Sequence, residues 1–231
     1  MSRYVLDDVE DIDRALWNVV DKGKTKNISR DAEHCIAAGA NVNCQRPMGY
    51  PCNEDPSKRE TPLLIAIIRD MPKLVNRLIE LGADPNAETG AFGDRTLLHI
   101  AALHSRPEIV GMLVKAGVSM EKKDTIFGWT ALHLAVYQCP RRPWTVRMLI
   151  AEGANVHAID NTGRTPWQIS LEYPRRFSHQ LKQILVENGA DQPDKTVCRN
   201  FPDWEFEWKW RDGTDWIKTL LKKERYLRGR R

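Results

Sequence analysis

Cysteine is scarce in this 231-residue chain: there are five, an odd number, and no Cys-x-x-Cys pair. That excludes a disulfide framework and a zinc ribbon, and leaves free thiols. Long apolar runs are missing as well. The longest, Leu63 to Ile68, falls far short of the roughly 20 residues that a membrane span needs. The opening Met1-Ser2-Arg3-Tyr4, followed by an Asp/Glu-rich stretch, lacks the basic-then-apolar order of a signal peptide. The expected setting is therefore cytoplasmic, with no transmembrane segment. No Gly-rich phosphate loop, Gly-x-Ser-x-Gly elbow or His-Glu-x-x-His occurs, so no motif argues for an enzyme or a bound cofactor. An excess of one charge is confined to one end. Lys218 to Arg231 hold seven Lys/Arg against the single Glu224, which leaves 28 basic and 30 acidic residues in the rest. With 42% hydrophobic and 29% charged residues, the remainder has the balance of a folded domain, not of a disordered or collagen-like chain.

What is present is a repeat. Thr61-Pro62-Leu63-Leu64-Ile65-Ala66, Thr96-Leu97-Leu98-His99-Ile100-Ala101, Thr130-Ala131-Leu132-His133-Leu134-Ala135 and Thr165-Pro166-Trp167-Gln168-Ile169-Ser170 align, with threonines stepping by 35, 34 and 35. Each is followed by a second apolar stretch and a glycine, at Gly82, Gly117, Gly153 and Gly189. A threonine hydroxyl caps the free N–H groups of a helix start, and proline directly after it fits the first turn. The second stretch, as in Leu74-Val75-Leu78-Ile79, is spaced for one helix face and ends at a residue suited to a left-handed C′ position. The predicted unit is helix, turn, helix, loop.

These units resemble ankyrin repeats, through the Thr-Pro-Leu-His-x-Ala and Gly-Ala-Asp/Asn-x-Asn/His signatures as they stand here. The resemblance implies an all-α ankyrin-repeat solenoid. Four repeats cover residues 57–191. Residues 1–56 form a degenerate N-terminal capping repeat, with Ile12, Leu16, Trp17 and Val20 on its first helix, and a long first finger loop. The third and fourth units run two to three residues longer from threonine to glycine than the first two. The excess falls between their helices, at Cys139 to Trp144 and Tyr173 to Phe177, both with Pro-Arg-Arg.

What the resemblance implies about function is protein recognition by the concave face: finger tips plus the exposed side of each first helix. By position, the residue just before each threonine belongs there (Glu60, Arg95, Trp129, Arg164), as do Phe92, Ile126, Phe127 and Asn161 slightly earlier. The residues seven and eight after it complete the map (Ile68 and Arg69, Leu103 and His104, Tyr137 and Gln138, Glu172 and Tyr173). Ile126, Phe127, Trp129 and Tyr137 gather in the third unit, and aromatic residues are the usual anchors of interfaces. Arg69, Arg95, His104 and Arg164 are expected to ring them with positive charge, so the expected partner is a protein with an acidic rim and an apolar pocket. The alternative is that Trp129 packs along its own repeat and leaves Phe127 exposed. His99 and His133 are expected to be structural, bonded to their threonines. His34, Cys35, Cys44 and Cys52 match no common zinc spacing, and no metal is expected.

After Asp191 the pattern stops. Trp204, Phe206, Trp208 and Trp210 alternate with charged residues, which predicts a strand; Asp212-Gly213 is a turn, and a helix with Trp216, Ile217, Leu220, Leu221 and Leu227 on one stripe follows. Residues 192–231 are thus a Trp-rich, basic strand-plus-helix appendage, expected to cap the stack. The expected function is a non-enzymatic adaptor or inhibitor. The alternative is that Lys218, Lys222, Lys223, Arg225 and Arg228 lead binding to nucleic acid or an anionic membrane.

Overall fold

The computed structural model describes residues 9–22, 27–45, 60–87, 89, 94–138, 143–170 and 175–190, all within one compact unit, Met1–Gln192. The appendage predicted over 192–231, with its strand, helix and basic residues, lies outside the described residues.

Among the described residues four helix pairs run in chain order, α1 (Val9–Lys22) with α2 (Ile28–Ala37), α3 (Pro62–Ile68) with α4 (Pro72–Glu80), α5 (Leu97–Leu103) with α6 (Pro107–Lys115) and α7 (Ala131–Gln138) with α8 (Trp144–Ala151), followed by α9 (Pro166–Ile169) and α10 (Arg175–Glu187). No strand occurs among the described residues. Each start has a local cause. Thr61, Thr96 and Thr165 sit in extended backbone and accept the N–H of Leu64, His99 and Gln168. Pro62, Pro72, Pro107 and Pro166 open their helices, where a missing N–H costs nothing. The second helices end as the glycines predicted. At Gly82 (φ 92°), the Gly82 N–H bonds Ile79 O at 3.0 Å and the Ala83 N–H bonds Leu78 O at 2.9 Å. That pair of bonds is a Schellman motif.

First helices stack on first helices (α3 on α5, α5 on α7, α7 on α9) and second on second (α4 on α6, α6 on α8). The stacking explains the two compositions. Every residue of α5 is buried, because it has neighbours before and after it in the stack as well as its own partner helix. On α4 only Leu74, Val75 and Leu78 are buried, and Lys73, Asn76 and Glu80 face water. At the N-terminal end α1 buries Leu16, Trp17 and Val20 completely and packs against α2 and α3. Of the insertions predicted at Cys139 to Trp144 and Tyr173 to Phe177, residues 139–142 and 173–174 lie outside the described residues, while Pro143 caps α8, Trp144 begins it and Arg175 to Phe177 begin α10.

Candidate protein-binding face

The loops before α7 and α9, the third and fourth fingers, are short hairpins, each organised by one aspartate. In the third finger Asp124 Oδ1 accepts the N–H groups of Phe127 (2.9 Å) and Trp129 (3.1 Å), and the Asp124 N–H closes the hairpin on Trp129 O at 2.8 Å. Asp160 repeats the arrangement in the fourth. Its Oδ1 accepts from the Thr162 N–H at 2.8 Å, the Thr162 hydroxyl at 2.6 Å and the Arg164 N–H at 2.9 Å. Burial acts to raise the Asp160 carboxyl, but the Thr162 hydroxyl, these N–H groups and the Arg164 charge outweigh it and hold the group below the usual carboxylate range. In the second finger Thr89 takes the place of the aspartate and donates its hydroxyl to Arg95 O at 2.8 Å.

Neighbouring fingers are tied together. The Asn161 N–H bonds Phe127 O at 2.8 Å, and a Cβ on Gly128 (φ +69°) would stand 2.2 Å from Asn161 Oδ1 and 2.9 Å from the Asn161 backbone nitrogen. Only glycine permits that approach. The residues before Thr96 and Thr130 then reach for the next finger's aspartate. Arg95 donates Nε and Nη2 to Asp124 Oδ2, both at 3.1 Å. Trp129 donates its indole N–H to Asp160 Oδ2 at 3.2 Å. Arg164 turns back and grips Asp160 Oδ2 of its own finger with Nε at 3.0 Å and Nη2 at 2.9 Å.

This ladder corrects the expected ring of positive charge. Arg95, expected on the binding face, has a side chain only 2% exposed, and its partner Asp124 has none exposed. The Arg164 side chain is 19% exposed and bound to Asp160. Arg69, also expected at the face, bonds the carbonyls of Val20 and Asp21 and the Asp21 carboxylate. It thereby caps the C-terminal end of α1, where a cation offsets the helix dipole. At His104, burial and then the nearby Arg106 charge push the imidazole down to about 4, so it is neutral at pH 7. None of the four supplies a free cation.

The aromatic expectation divides. Trp129 is 6% exposed, a floor and not a contact in its own right. Phe127 and Tyr137 are half-buried on either side of it, with ring centroids 4.9 Å and 5.0 Å from the indole and interplanar angles of 33° and 51°. Ile126 and Gln138 are half-buried, Asn161 is exposed, and Ile68 and Glu60 are half-buried, whereas Leu103 is buried. Phe92, Glu172, Tyr173, Lys218, Lys222, Lys223, Arg225 and Arg228 lie outside the described residues. Two exposed apolar side chains escaped the sequence reading: Ile159, 50% exposed, and Trp144, 61% exposed. Ile159 directly precedes Asp160, the place that Lys123 holds before Asp124. A large apolar residue there was the available signal.

Among the described residues the histidines of the face are structural. His99 Nδ1 accepts the Thr96 N–H at 3.1 Å and Nε2 donates to Trp129 O at 3.0 Å. His133 does the same with Thr130 and Arg164 O, each at 3.2 Å. Burial pushes His99 down to about 4 and lowers His133. Both act as struts between one helix and the next finger. Among the described residues no three His, Cys, Asp or Glu gather as a metal site. Burial, and then the Asp13 charge, push the Cys44 thiol up to about 12, so it stays protonated.

Comparison with known proteins agrees with this architecture. The family model described as ankyrin repeats matches in three copies, over residues 27–124, 63–160 and 98–196. Mouse (Mus musculus) NF-kappa-B inhibitor delta is 35% identical over 117 residues, covering 42% of this chain and 35% of that protein. Human (Homo sapiens) B-cell lymphoma 3 protein is 32% identical over 158 residues, 63% of this chain and 34% of that protein. Glycerophosphocholine phosphodiesterase gde1 of Schizosaccharomyces pombe is 34% identical over 132 residues, 57% of this chain but only 11% of that protein. The chain thus spans about a third of the length of two of these relatives and about a tenth of the third. No helix among the described residues is long and apolar enough to cross a membrane.

Proposed function

The chain belongs to the ankyrin-repeat family, and on that premise we propose that it is a non-enzymatic protein-binding module, an adaptor or inhibitor, that engages another protein through the face centred on its third finger. One observation carries the reading: Phe127 and Tyr137 flank a buried Trp129 at 4.9 Å and 5.0 Å. Half-buried aromatic rings over a dry, well-packed base have the anatomy of an interface hot spot. That one relative is named an NF-kappa-B inhibitor supports a role in masking a partner. The catalytic name of another belongs to a protein of which this chain matches 11%, and it is not carried over. Free thiols at Cys35 and Cys44 suit a reducing compartment such as the cytoplasm.

Affinity capture from native lysate tests the reading, with the intact chain, a Phe127→Ala/Tyr137→Ala variant and a truncation after Arg211 as baits, each checked for folding by circular dichroism. The expected result is a protein caught by the intact chain and by the truncation but lost with the double variant. Retention of the same catch by the double variant would overturn the proposal. Loss on truncation, or at higher salt, would move function to the segment that holds Lys218, Lys222, Lys223, Arg225 and Arg228, the mark of phosphate-led binding.

A further inference from the structure

Resting on the reading just given, we propose that the partner offers the third finger an uncharged apolar segment with a bulky aliphatic or aromatic side chain, and not an acidic surface. The argument is charge complementarity. An acidic segment needs a cation to repay the water it loses, and among the described residues the arginines expected around the rings are already matched. Arg95 is sealed against Asp124 and Arg164 holds Asp160. Arg69 is committed to Asp21 and the end of α1. Arg95 and Arg164 are offset by the wholly buried carboxylates of Asp124 and Asp160, and neither pair offers net charge to a partner.

Among the described residues the rim carries exposed charges of both signs. Lys122 and Lys123 are exposed beside the third finger, and Asp94, also exposed, accepts a hydrogen bond from Thr125 of that finger at 3.4 Å. Charges so placed are hydrated and screened; they influence the rate of encounter more than the depth of binding. What remains to be covered is apolar: the half-buried Phe127, Tyr137 and Ile126.

The platform is also fixed before a partner arrives. Trp129 is held through its N–H by Asp124, through its carbonyl by His99 and through its indole by Asp160. Phe127 is held through its N–H by Asp124 and through its carbonyl by Asn161. A surface ordered in advance loses little freedom on binding, so a short apolar segment with few polar contacts can still bind measurably.

A random 12-residue peptide library displayed on phage, panned against the full chain, tests the chemistry without the natural partner. Enriched peptides are resynthesised and titrated by fluorescence anisotropy in low and high sodium chloride. The expected peptides carry bulky apolar residues and no net negative charge. Their Kd changes less than about threefold with salt and rises at least about tenfold with Phe127→Ala/Tyr137→Ala. Ile126→Lys, at the half-buried tip of the finger, gives a second readout that does not depend on the rings: an apolar peptide is weakened by the added cation, an acidic one strengthened. Acidic peptides that need the rings, weaken with salt and tighten on Ile126→Lys would overturn the proposal while leaving the binding face in place. Enrichment of no peptide, or only of peptides indifferent to both variants, would overturn the face and the proposal together.

Discussion

Replacing His99 by glutamine should trade stability at neutral pH for stability in acid. His99 is 1% exposed and bridges Thr96 to Trp129 as the neutral ring, with Nδ1 accepting and Nε2 donating. Burial holds it at about 4 in the folded chain against an ordinary 6.5. Between those values the unfolded chain binds the proton and the folded chain does not. Stability is therefore full above about pH 6.5 and falls as the pH drops toward 4, by about 3 kcal/mol in all. The chain carries its own model of the replacement. Gln168 occupies the same place in the fourth unit, and its Oε1 accepts the Thr165 N–H at 2.8 Å within a complete capping box. His99→Gln therefore keeps the cap, loses the strut to Trp129, and should cost about 1–1.5 kcal/mol at pH 7.5. Below pH 6.5 the parent loses about 1.4 kcal/mol per pH unit that the variant does not, so the two curves should cross near pH 5.5. Urea unfolding monitored by circular dichroism at half-unit steps from pH 7.5 to 4.5 measures both. Parallel curves would refute the reasoning: His99 would then titrate alike folded and unfolded, and would not be the buried strut described.

Arg95→Met should cost about 2–4 kcal/mol in urea unfolding, because it strands the buried Asp124 carboxylate with only its two N–H donors, and Asp124→Asn added to it should recover part of that loss through coupling. A cost below about 0.5 kcal/mol would mean that Arg95 is a surface residue after all. Arg69→Ala should lower stability by about 1–2 kcal/mol through the lost helix cap and ion pair, and peptide affinity at the third finger should not change in the same titration. Ser105 holds φ 53° between α5 and α6, so Ser105→Gly should raise stability by about 0.5 kcal/mol; a lower melting temperature in calorimetry would show that its side chain has a role there.

The elements legible in the sequence are those whose causes are local. Threonine caps, first-turn prolines and C′ glycines act within four residues of themselves, so Thr61, Thr96 and Thr165 mark helix starts without knowledge of the stack, and Gly82 and Gly153 mark ends. The burial of Arg95 and Trp129, which precede Thr96 and Thr130, is not legible locally, for the opposite reason. Arg95 reaches Asp124 and Trp129 reaches Asp160, 29 and 31 positions along the chain. Arg69 reaches back 48 positions to Asp21. A family map places all of them on the face because the backbone points that way. Whether a side chain there is free depends on the charge that the neighbouring unit presents. The ring cluster was visible as a cluster, but which ring lies beneath was not, because the indole N–H of Trp129 is drawn inward by an aspartate of the next finger.

The length of the third finger explains why the rings surface in this unit. Four steps separate Asp124 from Gly128, whereas three separate Asp160 from Gly163. In both fingers the aspartate Oδ1 must still bond two backbone N–H groups on its far side, so the extra residue has to bulge at the tip. Ile126 and Phe127 occupy that bulge, and the Phe127 carbonyl, turned toward the fourth finger, finds the Asn161 N–H. The added residue thus displays apolar side chains and at the same time supplies the bond that steadies them. Trp129 serves both purposes as well, floor of the rings and bolt to Asp160, and a change there would confound binding with stability. The rings of Phe127 and Tyr137 lie against Trp129, and truncating them leaves its bond to Asp160 in place, which is why binding is best probed at these two residues.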